Sequence, residues 1–234
     1  MGRRALRKID PELDLSRHFG SVEQAPRPFH TPECFDRAAP LEVEIGSGKG
    51  LFLANAALAR PEHNFVGVEV AFKYARYTAA RLAKLGLTNA VSLHGDGLAF
   101  MNEAIEDNSL RAFHVYFPDP WWKKRHRRRR VMNERLLADV VRTLEPGGKL
   151  HFWTDVKEYF DESLDLIARE TPLEGPLTIA ERPAEHHLDY LSHFERRTRL
   201  NEEPVYRSEF VKPLKSQVGQ AHSAEEPSGV ATDS

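Results

Sequence analysis

The residues of this chain that could do chemistry are most concentrated in one stretch, Phe117 to Arg130. It contains a carboxylate, Asp119, two tryptophans, Trp121 and Trp122, and then eight consecutive Lys, Arg or His residues at 123–130. Basic side chains neutralise phosphates, and indole rings stack on flat bases. Most basic runs are simply solvated surface. An acid, aromatics and cations in this order are nevertheless typical of a site that binds a polyanion carrying bases.

The charge of the chain is distributed unevenly around this run. The formal net charge is −2, from 33 Lys and Arg against 35 Asp and Glu. Residues 123–130 hold seven of these bases and no acid, so the remainder has 26 bases against 35 acids, a balance of −9. A positive patch on an otherwise acidic chain favours local capture of phosphates. We expect Arg127, Arg128 and Arg130 to be among the cations that make these contacts.

A second group of candidate residues follows an alternating strand at 41–45. The turn Gly46-Ser47-Gly48-Lys49-Gly50 leads into a helix, so its N–H groups could bind an anion at the helix N-terminus. Its spacing matches neither the G-x-G-x-x-G dinucleotide fingerprint nor the P-loop of nucleotide hydrolases. Glu44, two residues before the first glycine, would repel a phosphate and favours a cationic ligand instead.

Acids also follow the next two predicted strands. Glu69 ends a strand and lies 19 residues after Gly50, a spacing typical of a carboxylate that binds ribose hydroxyls. Asp96 and Gly97 follow the strand at 90–94. Asp96 could equally cap the next helix or contact a ligand.

Strands and helices alternate along most of the chain. Strands are predicted at 41–45, 64–69, 90–94, 113–117, 149–153 and 205–211, helices at 51–60, 71–86, 131–144 and up to Arg169, and a sharp turn at 146–148. This pattern predicts an α/β fold with a doubly wound, Rossmann-like sheet that is mostly parallel and has an antiparallel C-terminal strand. Ligands of such sheets bind at the carboxyl ends of the strands, where Asp119 and Asp155 would join the earlier acids.

The length of 234 residues suits one sizeable domain with short appendages. We expect an irregular basic arm over 1–40, a single domain over 41–212 and a disordered tail over 213–234. The sequence has no run of transmembrane length, no signal-peptide pattern and a single cysteine, Cys34, which together indicate a cytoplasmic protein without membrane contact. Both a monomer and a homodimer are compatible with it.

Histidines cluster near the C-terminal end of the predicted domain. They have no second ligand pair at zinc spacing, so we expect solvated loop residues and no metal site. These histidines are His186, His187 and His193.

The glycine turn and the acids after successive strands resemble a class I S-adenosylmethionine-dependent methyltransferase. This cofactor offers one carboxylate to the glycine turn, ribose hydroxyls to an acid, and a sulfonium that tolerates neighbouring carboxylates. A dehydrogenase would instead have to hold a pyrophosphate beside Glu44. The resemblance implies that the cofactor is bound by Glu44, Gly46, Gly48, Gly50, Glu69, Asp96, Gly97 and Asp119.

The later stretch carries a more specific resemblance, which spans about residues 40–212. Phe117-Pro118-Asp119-Pro120-Trp121-x-Lys123-Lys124-Arg125-His126-x-x-Arg129-Arg130 closely resembles the signature of bacterial tRNA (guanine-N7)-methyltransferases, as do Thr154-Asp155 and Phe194-Glu195-Arg196-Arg197. The resemblance implies methylation of guanine 46 in the tRNA variable loop, with Asp119 at the reacting centre. The residues implied to contact tRNA are Lys123, Arg125, Asp155, Ser192, His193, Phe194 and Glu195. Trp122 stands where proline is common in the family, and Ser192 where threonine is usual.

The implied chemistry needs little acid–base machinery. Guanine N7 is an in-plane acceptor that carries no proton. Asp119 is therefore better suited to orienting the base and stabilising charge than to acting as an obligatory base.

Two alternatives remain open. Asp119-Pro120-Trp121-Trp122 partly matches the D-P-P-aromatic motif of exocyclic-amine methyltransferases, although Trp121 replaces the second proline. A non-catalytic RNA-binding module on a methyltransferase scaffold is the other alternative, and the acids at Glu44, Glu69 and Asp119 count against it.

Overall fold

Eight strands form one sheet in the computed structural model, which describes residues 6–29, 31–180, 190 and 192–214. The strands are β1 (Phe19–Ser21), β2 (Leu41–Ile45), β3 (Asn64–Glu69), β4 (Ala90–His94), β5 (Leu110–Tyr116), β6 (Leu144–Thr154), β7 (Glu174–Thr178) and β8 (Tyr206–Val211). The helices are α1 (Thr31–Phe35), α2 (Leu51–Ala59), α3 (Phe72–Lys84), α4 (Gly97–Glu103), α5 (Glu134–Thr143), α6 (Lys157–Glu170) and α7 (His193–Leu200). Two 3-10 turns span Val22–Gln24 and Lys124–Arg129.

The strand order across the sheet is β1-β4-β3-β2-β5-β6-β8-β7. Neighbouring strands from β1 to β6 pair in parallel, and β8 runs antiparallel to both β6 and β7. The prediction of a doubly wound, mostly parallel sheet with an antiparallel C-terminal strand is confirmed. The strand order reverses between β2 and β5, which is where ligands of open α/β sheets bind.

The register of the sheet brings the carboxyl ends of the parallel strands together. Ile45 of β2 pairs with Val68 of β3 and with Val115 of β5, and Tyr116 pairs with Trp153 of β6. The acids that follow these strands therefore lie along one edge, on either side of the reversal.

Helices cover both faces of the sheet because the inner strands are apolar on both faces. On one face, α4, α5 and α6 contribute to a core cluster that includes Val43, Phe100, Phe113, Leu136, Val140, Phe152, Tyr159 and Ile167. On the other face, α2 and α3 pack in a cluster that includes Phe52, Leu53, Phe65, Leu82, Tyr116 and Trp153. None of the described helices combines the length and the apolar character needed to cross a bilayer.

Part of the segment expected to be an irregular arm over residues 1–40 has regular structure: residues 6–29 and 31–40 contain β1, a 3-10 turn and α1. β1 lengthens the sheet by pairing with β4, and Val22, Phe29 and Phe35 are buried in the core. The rings of Phe29 and Phe100 lie 5.3 Å apart, so the arm packs on α4. Its apolar residues are irregularly spaced because they fill a gap rather than one face of a helix or strand. Most of the tail predicted to be disordered, 215–234, lies outside the described residues.

Two element boundaries also differ from the predictions. The sharp turn expected at 146–148 lies inside β6, where pairing with β5 passes from Leu144 directly to Lys149. The helix expected from Val131 begins at Glu134, because the Asn133 side chain caps it by accepting from the N–H of Leu136 at 3.0 Å.

Candidate active site

The glycine turn between β2 and α2 is an open cradle of backbone. Gly46, Gly48 and Gly50 have φ of 75°, 56° and 65°, in the left-handed region that favours glycine. A Cβ on Gly50 would lie 2.3 Å from a side-chain carbon of Thr78, so no larger residue fits there. A Cβ on Gly46 would meet no atom within 4 Å, so the space beside that end of the turn is free for a ligand.

Glu69, at the end of β3, is held by two backbone N–H groups. Its Oε2 accepts from Gly48 at 2.9 Å and its Oε1 accepts from Ala71 at 2.8 Å. Each carboxylate oxygen has a second lone pair. The backbone therefore orients this buried carboxylate and still leaves it able to accept from hydroxyl groups of a ligand.

Glu44, on β2, is buried, and its Oε2 has no hydrogen-bond partner in the described part of the chain. Burial, and secondarily the charge of Glu69, raises the pKa of Glu44 from 4.5 to about 8. A buried acceptor without a partner is rare and indicates a donor or cation that completes the site. A cationic ligand, as predicted from the sequence, would do so.

Asp96 and Gly97 lie at the end of β4, beside Glu69. The Asp96 side chain accepts from the N–H of Leu98 at 2.8 Å, so its role as the cap of α4 is confirmed. A Cβ on Gly97 would lie 2.7 Å from the side chain of Ile45, which shows how closely α4 approaches the end of β2. Asp96 remains exposed, and its contact with a cofactor stays a prediction.

Residues 117–130, which we call the Asp119 loop, continue from β5 on the other side of the strand reversal. Phe117 is tied to β6 because its N–H donates to the carbonyl of Trp153 at 2.8 Å. Asp119 is exposed, and its carboxylate makes no hydrogen bond or ion pair with the described residues. It is therefore available to a ligand at the edge that carries Glu44 and Glu69.

The cations of the basic run within this loop differ in their described partners. Arg127 and Arg130 pair with Glu158 and Glu162 of α6, and the expected contact of these two arginines with phosphates stays a prediction. The sequence could not show this, because the carboxylates come more than 30 residues later. The cations of the run that remain exposed are Lys123, Lys124, Arg125, Arg128 and Arg129.

Segment 192–195 begins α7 and lies against the Asp119 loop. The exposed ring of Phe194 stacks on Phe117 with centroids 6.2 Å apart and an interplanar angle of 17°. The Ser192 hydroxyl caps the helix by accepting from the N–H of Glu195 at 2.9 Å. His193 is the first helical residue.

Glu195 points into the protein rather than towards solvent. It is 3% exposed, and its Oε1 accepts from Arg207 at 3.1 Å and from Arg199 at 3.5 Å. The Arg207 guanidinium in turn lies 5.0 Å from the ring centroid of Trp153. A direct contact of Glu195 with tRNA stays a prediction, and its described contacts hold the start of α7 against the sheet.

Asp155 follows β6 at the same edge and is half-buried. It does not cap α6, whose cap is Val156, while the Thr154 hydroxyl accepts from the Val156 N–H at 3.2 Å. The Asp155 carboxylate is thus not engaged in starting the helix, in agreement with a role in contacting a ligand.

Sequence reasoning missed a buried polar network beneath this edge. The Glu42 carboxylate lies 2.8 Å from a ring nitrogen of His114, 2.6 Å from one of His63 and 3.0 Å from the guanidinium of Arg60. The other ring nitrogen of His114 lies 2.9 Å from the Tyr116 hydroxyl, within hydrogen-bond distance. Burial by itself would raise the pKa of Glu42, but the bonds from the two histidines and the charge of Arg60 together lower it to about 2. The signal was present as Glu42 and Glu44, two acids on one face of an otherwise apolar strand.

The described residues contain no group of three or more His, Cys, Asp or Glu that could hold a metal ion. His186 and His187 lie outside those residues.

The strand order, the glycine turn and the acids at the carboxyl edge define a class I S-adenosylmethionine-dependent methyltransferase. The family model described as a putative methyltransferase matches residues 38–208. A tRNA (guanine-N(7)-)-methyltransferase of Rhodopirellula baltica is 48% identical over 213 residues, which cover 88% of this chain and 79% of that protein. The protein of that name from Paracidovorax citrulli is 36% identical over 72% of this chain and 69% of its own length, and that from Rubrobacter xylanophilus is 33% identical over 91% and 98%. The chain belongs to this methyltransferase family.

Proposed function

We propose that this protein transfers the methyl group of S-adenosylmethionine to N7 of guanine in tRNA, and that the target is guanine 46 of the variable loop. The observation that carries the proposal is the free carboxylate of Asp119, which follows β5 at the edge that holds Glu44 and Glu69 and precedes the exposed basic residues. The names of the relatives support the nucleotide and the atom. We propose a single methyltransferase domain over 41–212 and, because tRNA is the substrate, a cytoplasmic location.

The residues after β2, β3 and β4, which we call the cofactor half of the site, match the groups of S-adenosylmethionine. This cofactor supplies an electrophilic methyl group on a positively charged sulfur. The free space at Gly46 admits its carboxylate end, Glu69 accepts from the ribose hydroxyls, and Glu44 places negative charge close to the cation. Asp96 and Gly97 complete this part of the site at the end of β4.

Asp119 acts on the base. Methyl transfer breaks a C–S bond and forms an N7–C bond, so the positive charge moves to the guanine and no proton has to leave N7. A carboxylate can accept from the Watson–Crick edge, which leaves N7 open, whereas an arginine on O6 and N7 would block the reaction. Asp119 therefore orients the guanine and stabilises the charge that develops on it.

The remaining substrate contacts lie around the Asp119 loop. Lys123 and Arg125 neutralise phosphates near the target nucleotide, because both are exposed and lie just after the acid. We assign further tRNA contacts to Asp155, which follows β6, and to Ser192, His193 and Phe194 at the start of α7. Glu195 would support this segment through its bond with Arg207.

Incubation with methyl-labelled S-adenosylmethionine and unmodified tRNA, followed by nucleoside analysis, tests this function. We expect 7-methylguanosine, and no label in a tRNA whose guanine 46 is replaced by adenosine. Label at another guanine would overturn the assigned position. A product methylated on an exocyclic amine would favour the related class of methyltransferases, and tRNA binding without cofactor binding would favour a non-catalytic RNA-binding module.

A further inference from the structure

The contact between the Asp119 loop and α6 includes ion pairs between two arginines and two glutamates. Arg127 donates from Nη1 to Glu162 Oε1 at 2.7 Å and from Nη2 to Glu158. Arg130 donates from Nη1 to the other oxygen of Glu162. Arg127 lies on the 3-10 turn and Arg130, three residues later, caps its end. The two glutamates are four residues apart on α6 and therefore share one face of that helix.

Arg130 also reaches the backbone next to Asp119. Its side chain is only 7% exposed, and its Nε donates to the carbonyl of Pro120 at 2.7 Å. Its guanidinium lies 4.5 Å from the ring centroid of Tyr159, a buried residue whose hydroxyl accepts from the N–H of Met132 at 3.2 Å. Isolated surface ion pairs contribute little, but this arginine is buried, shares Glu162 with Arg127 and bonds a carbonyl as well.

The backbone around Asp119 needs such support. Phe117 and Trp121 have φ of 49° and 45°, a conformation that residues with a side chain rarely adopt. On the Phe117 side, the bond to the Trp153 carbonyl holds the chain. On the Trp121 side, the support comes from Arg130 at Pro120 and from the Arg129 guanidinium, 5.1 Å from the Trp121 ring.

We propose that Arg127, Arg130, Glu158 and Glu162 form a loop anchor that fixes the position of Asp119, and that the two arginines are positioning residues rather than phosphate-binding cations. The anchor joins α6 to the carbonyl of Pro120, which directly follows Asp119. This role rests on the proposed function in one respect, because it assumes that Asp119 takes part in methyl transfer.

The Glu158→Gln/Glu162→Gln double variant tests the anchor from the acidic side. We expect kcat to fall about 10- to 100-fold, because a small displacement of a reacting group has a cost of this order. The KM for tRNA should stay the same or fall, since two negative charges near the basic run are removed. Asp161→Asn is the matched control, because it removes a charge from an exposed position of α6 whose ion pair among the described residues is with Lys157, at 2.6 Å. The control should keep the kcat of the wild type.

A second readout needs neither substrate nor cofactor. The glutamine substitutions leave all seven Lys and Arg of residues 123–130 in place, so trypsin meets the same cleavage sites in every variant. We expect faster cleavage within this run in the double variant than in the wild type or in Asp161→Asn. If the double variant does not fold, Glu158→Gln alone breaks only the contact to Arg127 and serves in its place. This readout also separates the anchor from the proposed function, because it stands even if tRNA is not the substrate.

Arg127→Gln distinguishes positioning from phosphate binding. The anchor predicts a lower kcat with an unchanged salt dependence of tRNA affinity, whereas a lost phosphate contact would lower the log–log salt slope by roughly 0.7–0.9. Wild-type kcat and wild-type trypsin resistance in the glutamine variants, or a lower salt slope in Arg127→Gln, would overturn the proposal.

Discussion

The two halves of the candidate active site are held in place by different means. In the cofactor half, Glu69 is fixed by the N–H groups of Gly48 and Ala71, which belong to the turns that follow β2 and β3. In the substrate half, the Asp119 loop is fixed by ion pairs to α6 and by stacking of Phe117 on Phe194. Glu69 in the first half is held by backbone N–H groups at the sheet edge. The loop of the second half is held mainly by side chains from separate elements, besides the bond from the Phe117 N–H to the Trp153 carbonyl.

This difference follows from what each half binds. A small cofactor can be partly enclosed, and two of the acids assigned to it, Glu44 and Glu69, are buried, whereas Asp96 is exposed. A tRNA needs an open surface, so Asp119 and most of the basic run remain exposed and the loop must be held from behind. Salt screens exposed ion pairs more than it weakens backbone hydrogen bonds. Rising salt should therefore loosen the Asp119 loop before it affects the cofactor half.

The largest expected effect is on kcat, and it distinguishes the substrate half of the active site from the cofactor half. Asp119→Asn should lower kcat about 100-fold or more, because the carboxylate acts where charge develops. Cofactor affinity should fall less than kcat, because Asp119 acts mainly where charge develops during the transfer. The melting temperature should stay close to that of the wild type, since Asp119 is exposed and makes no hydrogen bond to the described residues. Steady-state kinetics, calorimetry and thermal melts check the three quantities. A folded variant with near-normal turnover would remove Asp119 from the reacting centre.

The corresponding change in the cofactor half should act on binding. Glu69→Ala should weaken S-adenosylmethionine binding by about 1.5–3 kcal/mol, as for lost hydrogen bonds to a charged group. It should also lower the melting temperature, because the N–H groups of Gly48 and Ala71 lose their acceptor. Calorimetry on this variant and on Glu12→Ala, an exposed control in the N-terminal segment, measures the effect. Unchanged affinity would exclude Glu69 from the cofactor site.

The burial of Glu44 predicts a pH dependence in the cofactor-free protein. Because the pKa is raised from 4.5 to about 8, the folded protein keeps a proton that the unfolded chain has released within this window. The stability from this proton is complete below pH 4.5 and is lost as the pH rises to 8. Glu44→Gln imitates the protonated form, so its gain in stability over the wild type should grow from pH 5 and level off above about pH 8. Denaturant unfolding at several pH values checks this, and a gain that does not vary with pH would contradict it.

The smallest expected effect is on tRNA binding, and it distinguishes the cations of the basic run that contact phosphates from those that do not. Arg128→Ala should weaken tRNA binding only a few-fold and lower the log–log salt slope by roughly 0.7–0.9, as for one lost phosphate contact. Lys123→Ala should raise the KM for tRNA in the same way, with a smaller loss of kcat. Binding titrations at several salt concentrations test both variants, with Arg127→Gln as the comparison whose slope should not change. Equal log–log salt slopes for all three variants would show that Arg127 does not differ from Arg128 and Lys123 in its contact with tRNA.

The central strands were predictable because their signals are local. The bounds of β2, β3 and β4 agree with the predicted strands, since apolar runs end at glycines and acids that stop the strand. β1 was not predictable, because three residues show no periodicity and Gly20 pairs with Leu93, 73 residues later. The backbone of the turn expected at 146–148 is held by Lys212, the residue that follows β8: the Gly147 N–H donates to the Lys212 carbonyl at 2.8 Å, and the Lys212 N–H donates to the Gly148 carbonyl at 2.9 Å.

The sequence by itself determined which chemical groups reach the carboxyl edge of the sheet. Gly46, Glu44, Glu69 and Asp119 directly end or follow strands, and the fold class brings such residues together whatever the details of packing. The tertiary structure alone decided what neighbouring residues of one type do. Arg127 and Arg128 are adjacent and chemically identical, yet only Arg127 meets carboxylates of α6, 31 and 35 residues further along the chain. Coulomb attraction depends on distance in space, and the folding of α6 against the loop sets that distance.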